Sequence, residues 1–228
     1  MIKNFLFPDI CALCGVDLVE TKEIHYGLCN QCRPTIITED YEKCNVCGKP
    51  LISEIDICTS CRNDKEKPYD KLWVLYPYTG KYRELLTEYK FRKKLPLAEF
   101  FAEKVLQVMF KEIELTVASI VPVPPRPFKI KHSGWDQVEY LVKCMKKLNG
   151  DLSVSRCLKR RKSQIQKQLS REERIKNLKG RIYCVGNVPK IALLIDDVIT
   201  TGSTMEVCAA ALKEAGAEKV YGLCLFYD

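Results

Sequence analysis

No apolar run in this 228-residue chain reaches the roughly 20 residues that a bilayer-crossing helix needs, so no membrane span is expected. Met1 to Pro8 is too short for a secretory leader and carries no small-residue cleavage site, so no export signal is read there. Large apolar residues are scarce over the first sixty or so positions, and a segment of that kind needs metal to fold. These absences exclude a membrane protein and a disulfide-built secreted module, and they lead to the expectation of a reducing cytoplasm. The length allows one large domain, or one domain plus a small module.

What the chain has in excess is cysteine, thirteen in all. Eight form four Cys-x-x-Cys pairs: Cys11/Cys14, Cys29/Cys32, Cys44/Cys47 and Cys58/Cys61. Four such pairs predict two tetrahedral zinc sites, each with four cysteine ligands. A redox dithiol needs one pair at a helix start beside a βαβ pattern and does not account for four. Cys14 and Cys47 are each followed by Gly, and Cys32 and Cys61 by Arg, so one pattern occurs twice. The repeat favours consecutive ribbons, with Cys11, Cys14, Cys29 and Cys32 on one ion and Cys44, Cys47, Cys58 and Cys61 on the other. The interleaved cross-brace is the alternative. With four cysteines per ion there is no open position, so the sites are structural, and His25 is read as a loop residue. Cys144, Cys157, Cys184, Cys208 and Cys224 are scattered and read as buried thiols. The polar break Asn63–Pro68 divides a ribbon module, residues 1–66, from a second domain, residues 67–228.

The second informative stretch runs from Ala192 to Thr204. Four apolar residues lead into Asp196 and Asp197, then a Thr/Gly/Ser turn, then a helical pattern from Met205. The apolar run suits a central parallel strand covered on both faces. The aspartates are expected at its C-terminal end, where open α/β sheets place their ligand crevice. Thr200, Thr201, Gly202, Ser203 and Thr204 offer backbone N–H groups, hydroxyls and a helix N-terminus, all suited to a phosphate dianion. The plainer alternative is a buried strand, an Asp turn and a Thr/Ser N-cap. Strand-like segments at Leu72–Tyr78, Val117–Val123, Ile191–Ile195 and Val220–Phe226 alternate with helical ones at Lys81–Phe91, Leu97–Phe110, Trp135–Leu148 and Ser203–Ala215. That order predicts an α/β domain with a mainly parallel sheet flanked by helices. The net charge is +8, but Arg156–Arg181 alone holds eleven Lys/Arg against two Asp/Glu, which marks a local polyanion site.

The Asp196–Thr204 segment resembles the phosphoribosyl pyrophosphate (PRPP) motif of type I phosphoribosyltransferases. Further segments extend the likeness: Val121-Pro-Val-Pro124 leading to Gly134-Trp-Asp-Gln137, Leu158-Lys-Arg-Arg-Lys162 running on to Gln166–Arg174 and Asn177, and Tyr78-Thr-Gly80 before Tyr89-Lys-Phe91. With the cysteine pairs they resemble the ComF family, competence-associated proteins similar to amidophosphoribosyltransferases with a double zinc ribbon in front. The resemblance implies a type I phosphoribosyltransferase-like fold and a role in DNA uptake during natural transformation, with partners in that machinery. It also implies that Asp196 and Asp197 bind the ribose hydroxyls, that Thr200 to Thr204 cradle the 5′-phosphate, and that Mg2+ accompanies PRPP. Where the family has Arg-Gly-Phe-Asn-Gln, this chain has Ser133-Gly-Trp-Asp-Gln137, one cation fewer and one anion more in a loop that would face phosphate.

Candidates to meet the pyrophosphate, or another polyanion, are Lys90, Arg126, Lys159, Arg160, Arg161 and Lys162, joined by Gln166, Arg171, Arg174 and Asn177 if the loop closes. Lys90 is also consistent with a solvated helix face, and the Arg171–Lys176 charges with pairing among themselves. Two functions follow. One is a Mg2+-dependent transferase acting from PRPP, with Asp196 and Asp197 as catalytic residues, although no acceptor-site motif, glutaminase segment or base for a nucleobase is visible. The other is single-stranded DNA handling, with phosphates held by the basic segment and Trp135, Tyr140 or Tyr82 as stacking platforms.

Overall fold

The computed structural model describes residues 9–38, 42–51, 55–63, 67–161 and 180–228. At its centre lies a four-stranded parallel sheet in the order β1-β6-β5-β2. Its strands are β1 (Lys71–Pro77), β2 (Ser119–Pro122), β5 (Ile191–Ile199) and β6 (Lys219–Tyr227). A separate antiparallel pair joins β3 (Leu158–Arg160) to β4 (Ile182–Cys184). The basic run was expected as a loop, but its first part is strand.

The sheet is buried on both faces, as its apolar runs require. Side chains alternate along β5: Leu193 and Ile195 enter one core, Ala192 and Leu194 the other, all without solvent exposure. The first core is covered by α3 (Gly80–Lys90), α4 (Leu97–Lys111) and α7 (Gln137–Leu148). The second is covered by α8 (Ser203–Glu214) and the β3–β4 pair. Four shorter α-helices, α1 (Thr21–Tyr26), α2 (Thr59–Asn63), α5 (Ile113–Thr116) and α6 (Lys129–Ser133), and one 3-10 turn, Arg33–Thr35, complete the described elements. Among the described residues no helix is long and apolar enough to cross a membrane.

The cysteine modules pack onto this domain rather than standing apart from it. Leu18, Leu28 and Ile36 of the first belong to the same core as α3 and α4. Tyr26 donates to Glu103 at 2.5 Å, and the Tyr82 hydroxyl to the Ile37 carbonyl at 2.8 Å. The second module covers an edge. Strand β1 ends the sheet, so every second residue of it presents unpaired backbone groups. Leu72 N–H donates to the Val46 carbonyl at 3.1 Å, and Lys43 Nζ to the Val74 carbonyl at 3.1 Å. Gly48 lies directly over this edge, where a Cβ would come within 2.7 Å of the Leu72 carbonyl oxygen.

The repeat therefore contains two glycines with one local conformation and two surroundings. Gly15 (φ +74°) and Gly48 (φ +68°) both follow a Cys-x-x-Cys pair in the left-handed region, but around Gly15 the space is open. Gly15→Ala is expected to cost about 1–2 kcal/mol from its backbone alone. Gly48→Ala should cost a further 1–3 kcal/mol or so, because it also pushes the ribbon off the strand edge. Chemical unfolding of both variants checks this, and equal losses would contradict the docking role.

Candidate ribose-phosphate pocket and cysteine clusters

Each ribbon gathers its own four sulfurs. Cys11, Cys14, Cys29 and Cys32 form one cluster and Cys44, Cys47, Cys58 and Cys61 the other, with the sulfurs of each within 4.8 Å of one another. The arrangement is consecutive, and the interleaved alternative is excluded. A tetrahedron with metal–sulfur bonds near 2.3 Å has sulfurs about 3.8 Å apart. Cys14–Cys29 and Cys47–Cys58 both stand at 3.7 Å, so the donor set and its spacing fit zinc. The two clusters repeat in detail. Cys29 N–H points at Cys11 Sγ, and Cys58 N–H at Cys44 Sγ, each at 3.4 Å. Burial pushes both acceptor thiols up, but the backbone N–H bonds outweigh it and bring each to about 7. Each cluster therefore starts with one thiol primed to ionise and bind a cation. Of the remaining cysteines, Cys144, Cys157, Cys208 and Cys224 are buried as expected, while Cys184 is half-buried with its thiol on the Ala211 carbonyl at 3.3 Å.

The candidate site arises from unequal strand lengths. β2 stops at Pro122, opposite Ile195, while β5 runs on to Ile199 against β6. Asp196 and Asp197 therefore lie within the strand, not at its end, where one flank has lost its neighbour. Val123 N–H makes the last bond on that flank, to the Ile195 carbonyl at 3.0 Å. The next donor there, Asp197 N–H, is taken by Asp196 Oδ1 at 2.8 Å, and Val198 N–H by Asp197 Oδ1 at 3.0 Å. The chain then turns through exposed Thr200 and Thr201 into α8. Gly202, at φ +77°, makes the turn that a Cβ would strain, and Thr201 Oγ1 and Ser203 Oγ lie 2.9 Å apart at the helix start. Twelve residues of helix follow, so the N-terminal N–H groups carry a full dipole.

Asp197 is the most constrained group in the pocket. It is 5% exposed and ion-paired to Lys90 Nζ at 2.5 Å. Gln137 Nε2 donates to the same carboxylate oxygen at 2.7 Å. Lys90 thus leaves the solvated helix face, one of its two sequence readings, and enters the pocket as the counter-ion of an aspartate. Burial raises the Asp197 carboxyl, but the Lys90 charge, with hydrogen bonds from Lys90, Asp196 and Gln137, overrides it and holds it ionised. Asp196 moves the opposite way: burial, then the Asp197 charge, push its carboxyl well above the usual carboxylate range. Two adjacent carboxyls are shifted in opposite directions, as pairs at binding and catalytic sites commonly are.

The Ser133–Gln137 loop differs from its sequence reading. Asp136 was expected to weaken a phosphate grip, but its charge is already committed. It caps α7, accepting from Val138 and Glu139 N–H at 3.0 Å each, and pairs with Lys129 at 2.6 Å. Lys129 also donates to Gln137 Oε1, which aims the Gln137 amide at Asp197. Sequence reasoning missed the role of Gln137. A polar residue in the first turn of an amphipathic helix, after an Asp cap, carries little signal of its own.

The basic run divides. Lys159 is exposed on β3, Arg160 is half-buried, and the Arg161 guanidinium lies 4.6 Å above the Tyr183 ring. Arg160 Nε is buried without a hydrogen-bond partner among the described residues. Burial and then the charge of exposed Arg126 lower the Arg160 pKa, while Asp196 acts on it in the opposite sense. Arg160 therefore lies within electrostatic reach of Asp196, and Arg126 within reach of Arg160. Lys162, Gln166, Arg171, Arg174 and Asn177 lie outside the described residues. Of the expected stacking rings, Tyr82 is excluded, being 4% exposed and stacked on Tyr76 at 5.1 Å. Trp135 and Tyr140 are half-buried in one aromatic row, Trp135 standing 5.3 Å from Tyr89 and 6.2 Å from Tyr140.

The two carboxyls should show opposite pH signatures. Asp196 is raised above about 3.9, its unfolded value. In that interval the native chain holds a proton that the unfolded chain has lost, so stability falls as pH rises. Asp196→Asn should therefore stabilise the fold, and more at pH 8 than at pH 4.5. Asp197 is lowered, so its contribution is present above about 3.9 and is lost as pH falls through its folded value. Asp197→Asn should destabilise by about 1–3 kcal/mol at neutral pH, converging on the parent in acid. Melting curves at both pH values test this, and effects of the same sign would refute the opposed ionisation.

Comparison with known proteins agrees with this geometry. Residues 2–62 match the family described as the double zinc ribbon domain. The chain is 26% identical to competence protein F of Haemophilus influenzae, over 96% of both chains. It is 28% identical to the DNA utilization protein YhgH of Salmonella typhimurium, again over 96% of both. Competence protein ComFC of Streptococcus pneumoniae is 29% identical over 85% of this chain and 84% of its own. Similarity to such relatives runs along almost the whole length, with the ribbon module in front, so the chain is similar throughout to competence proteins of the ComF type and carries an N-terminal double zinc ribbon.

Proposed function

We propose that this protein binds PRPP with Mg2+ between the Asp196–Asp197 pair and the Thr200–Thr204 turn. On this reading it acts in the cytoplasm on single-stranded DNA, in uptake or a related DNA process, in company with proteins of that machinery. The observation that carries the reading is the overhang of β5, which puts two adjacent carboxyls beside a glycine turn that opens a long helix. Phosphate suits the N–H groups and hydroxyls of that turn. The relatives' names, competence protein and DNA utilization protein, supply the DNA context.

A ribose hydroxyl meeting Asp197 takes the place of one of its present partners. Lys90 is the one that can leave with a purpose, since its ammonium then meets the pyrophosphate. Gln137 stays, held from behind by Lys129. Arg160 supplies further positive charge on the Asp196 side. Mg2+, when bound with PRPP, neutralises pyrophosphate charge. Transfer from PRPP to an acceptor is the second reading. The ionised Asp197 favours it, because a fixed negative charge stabilises cationic character developing at the sugar carbon. In the ribbons, zinc on the two cysteine clusters holds together a module with too little apolar core to fold alone.

Calorimetry tests the pocket. The parent should bind PRPP with Mg2+, and the double variant Asp196→Asn/Asp197→Asn should lose at least about 100-fold in affinity, as expected when two charged hydrogen-bonding groups go. Unchanged affinity would remove the ribose assignment, and pyrophosphate release on incubation with candidate acceptors would establish transfer. Metal analysis should find close to two zinc ions per chain. Cys11→Ser should lose one and leave the Cys44 cluster filled, because the clusters share no ligand. Loss of both ions from that variant, or an intact fold without metal, would contradict the ribbon reading.

A further inference from the structure

We infer that single-stranded DNA leaves the pocket across the turn between α3 and α4, with a base stacked on Phe91. The inference rests on the DNA reading above and assigns it a surface. Lys90–Lys94 reads Lys-Phe-Arg-Lys-Lys, and the facing segment Arg126–Ser133 contains Arg126, Lys129 and Lys131; neither contains an Asp or Glu. The two segments are tied together by Lys93 Nζ donating to the Ser133 carbonyl at 2.6 Å. Both border the Asp197 site, one through Lys90 and the other through Lys129 and Gln137.

Carboxylates claim only part of this charge. Lys90 pairs with Asp197, Arg92 with Glu88 and Lys129 with Asp136. Lys93, Lys94, Arg126 and Lys131 form no ion pair among the described residues. Adjacent cations without counter-ions repel and favour a polyanion. A lone exposed phenylalanine says little, but Phe91 is 68% exposed in the middle of this run. The turn that carries it holds Lys93 in the left-handed region at φ +55°, a conformation that a lysine adopts only where its surroundings enforce it. Beyond the turn, Arg92, Lys93 and Lys94 line a cleft of about 470 Å³ together with Ile10 and Leu18 of the first ribbon and two carboxylates, Asp9 and Glu88, of which Glu88 is already paired with Arg92. Because a base in a duplex has no free face, the ligand is single-stranded.

Fluorescence anisotropy with a labelled oligothymidylate, at two salt concentrations, tests the path. Phe91→Ala should weaken binding about fivefold or more with the salt slope unchanged, since stacking releases no counterions. Phe91→Trp should restore it. Lys94→Gln with Lys131→Gln should flatten the slope by up to about 1.4, at roughly 0.7 per phosphate contact. PRPP binding should be unaltered in all three variants. If the parent binds the oligonucleotide and Phe91→Ala binds equally well, this surface is wrong while the DNA reading stands. If the parent does not bind at all, that reading fails and this one with it. Loss of PRPP binding by Phe91→Ala would show that the ring acts through the fold and would overturn the stacking role.

Discussion

A buried negative charge at Asp197 organises much of this domain. An ion taken out of water costs several kcal/mol unless it is paired and hydrogen-bonded. Here the pairing comes from two helices that are distant in sequence, Lys90 at the end of α3 and Gln137 at the start of α7. Each contact has its own support. Gln137 is held by Lys129, its carbonyl accepts from Tyr89 at 2.6 Å, and the helix it begins is capped by Asp136. Tyr89 in turn packs edge-on against Phe101 and Trp135. The strand overhang, both helix ends and the aromatic core are thus fixed by a single carboxylate.

The ribbons show how one sequence pattern serves two structural ends. Their metal clusters agree in spacing, in N–H to sulfur bonds and in the direction of the first thiol's shift. Their docking differs. The first contributes Leu18, Leu28 and Ile36 to the core under α4, while the second pairs backbone to backbone with β1. An exposed parallel edge invites pairing with another chain, and covering it is one of the few remedies. The second ribbon also bears on the end of β6, where burial and then the charges of its cysteines push the Tyr227 hydroxyl up to about 12.

Two kinds of signal were legible in the sequence: repeats of an uncommon residue and a strict order of residue types along one strand and turn. Cys-x-x-Cys-Gly and Cys-x-x-Cys-Arg gave both clusters with their connectivity, and Ala192–Thr204 gave the central strand, the carboxylates and the helix start. What stayed illegible depends on contacts across the chain. Nothing near Lys90 in sequence says that it faces Asp197, 107 positions away. Asp136 reads as an added anion until its two N–H bonds and Lys129 are counted. Tyr82 reads as a platform until its ring is found under Tyr76. The four cations Lys159 to Lys162 read as one cluster, yet a strand alternates its side chains, so Lys159 and Arg160 cannot share a face.

That last point bears on how charge should be read in this protein. The net +8 is an inventory, and much of it is committed within the fold. Lys90 and Lys129 stabilise carboxylates in and beside the pocket, and Lys67 forms a nearly buried pair with Glu206 in the first turn of α8. An anion reaching the Thr200–Thr204 turn would therefore meet Lys90 and Lys67 already partnered, and would bind by exchanging those partners as well as by adding contacts. Such exchange lowers the net gain from any one lysine but raises selectivity. On the reading proposed above, a ligand that offers Asp197 a hydroxyl while offering Lys90 a phosphate satisfies both at once, and a sugar phosphate has both groups.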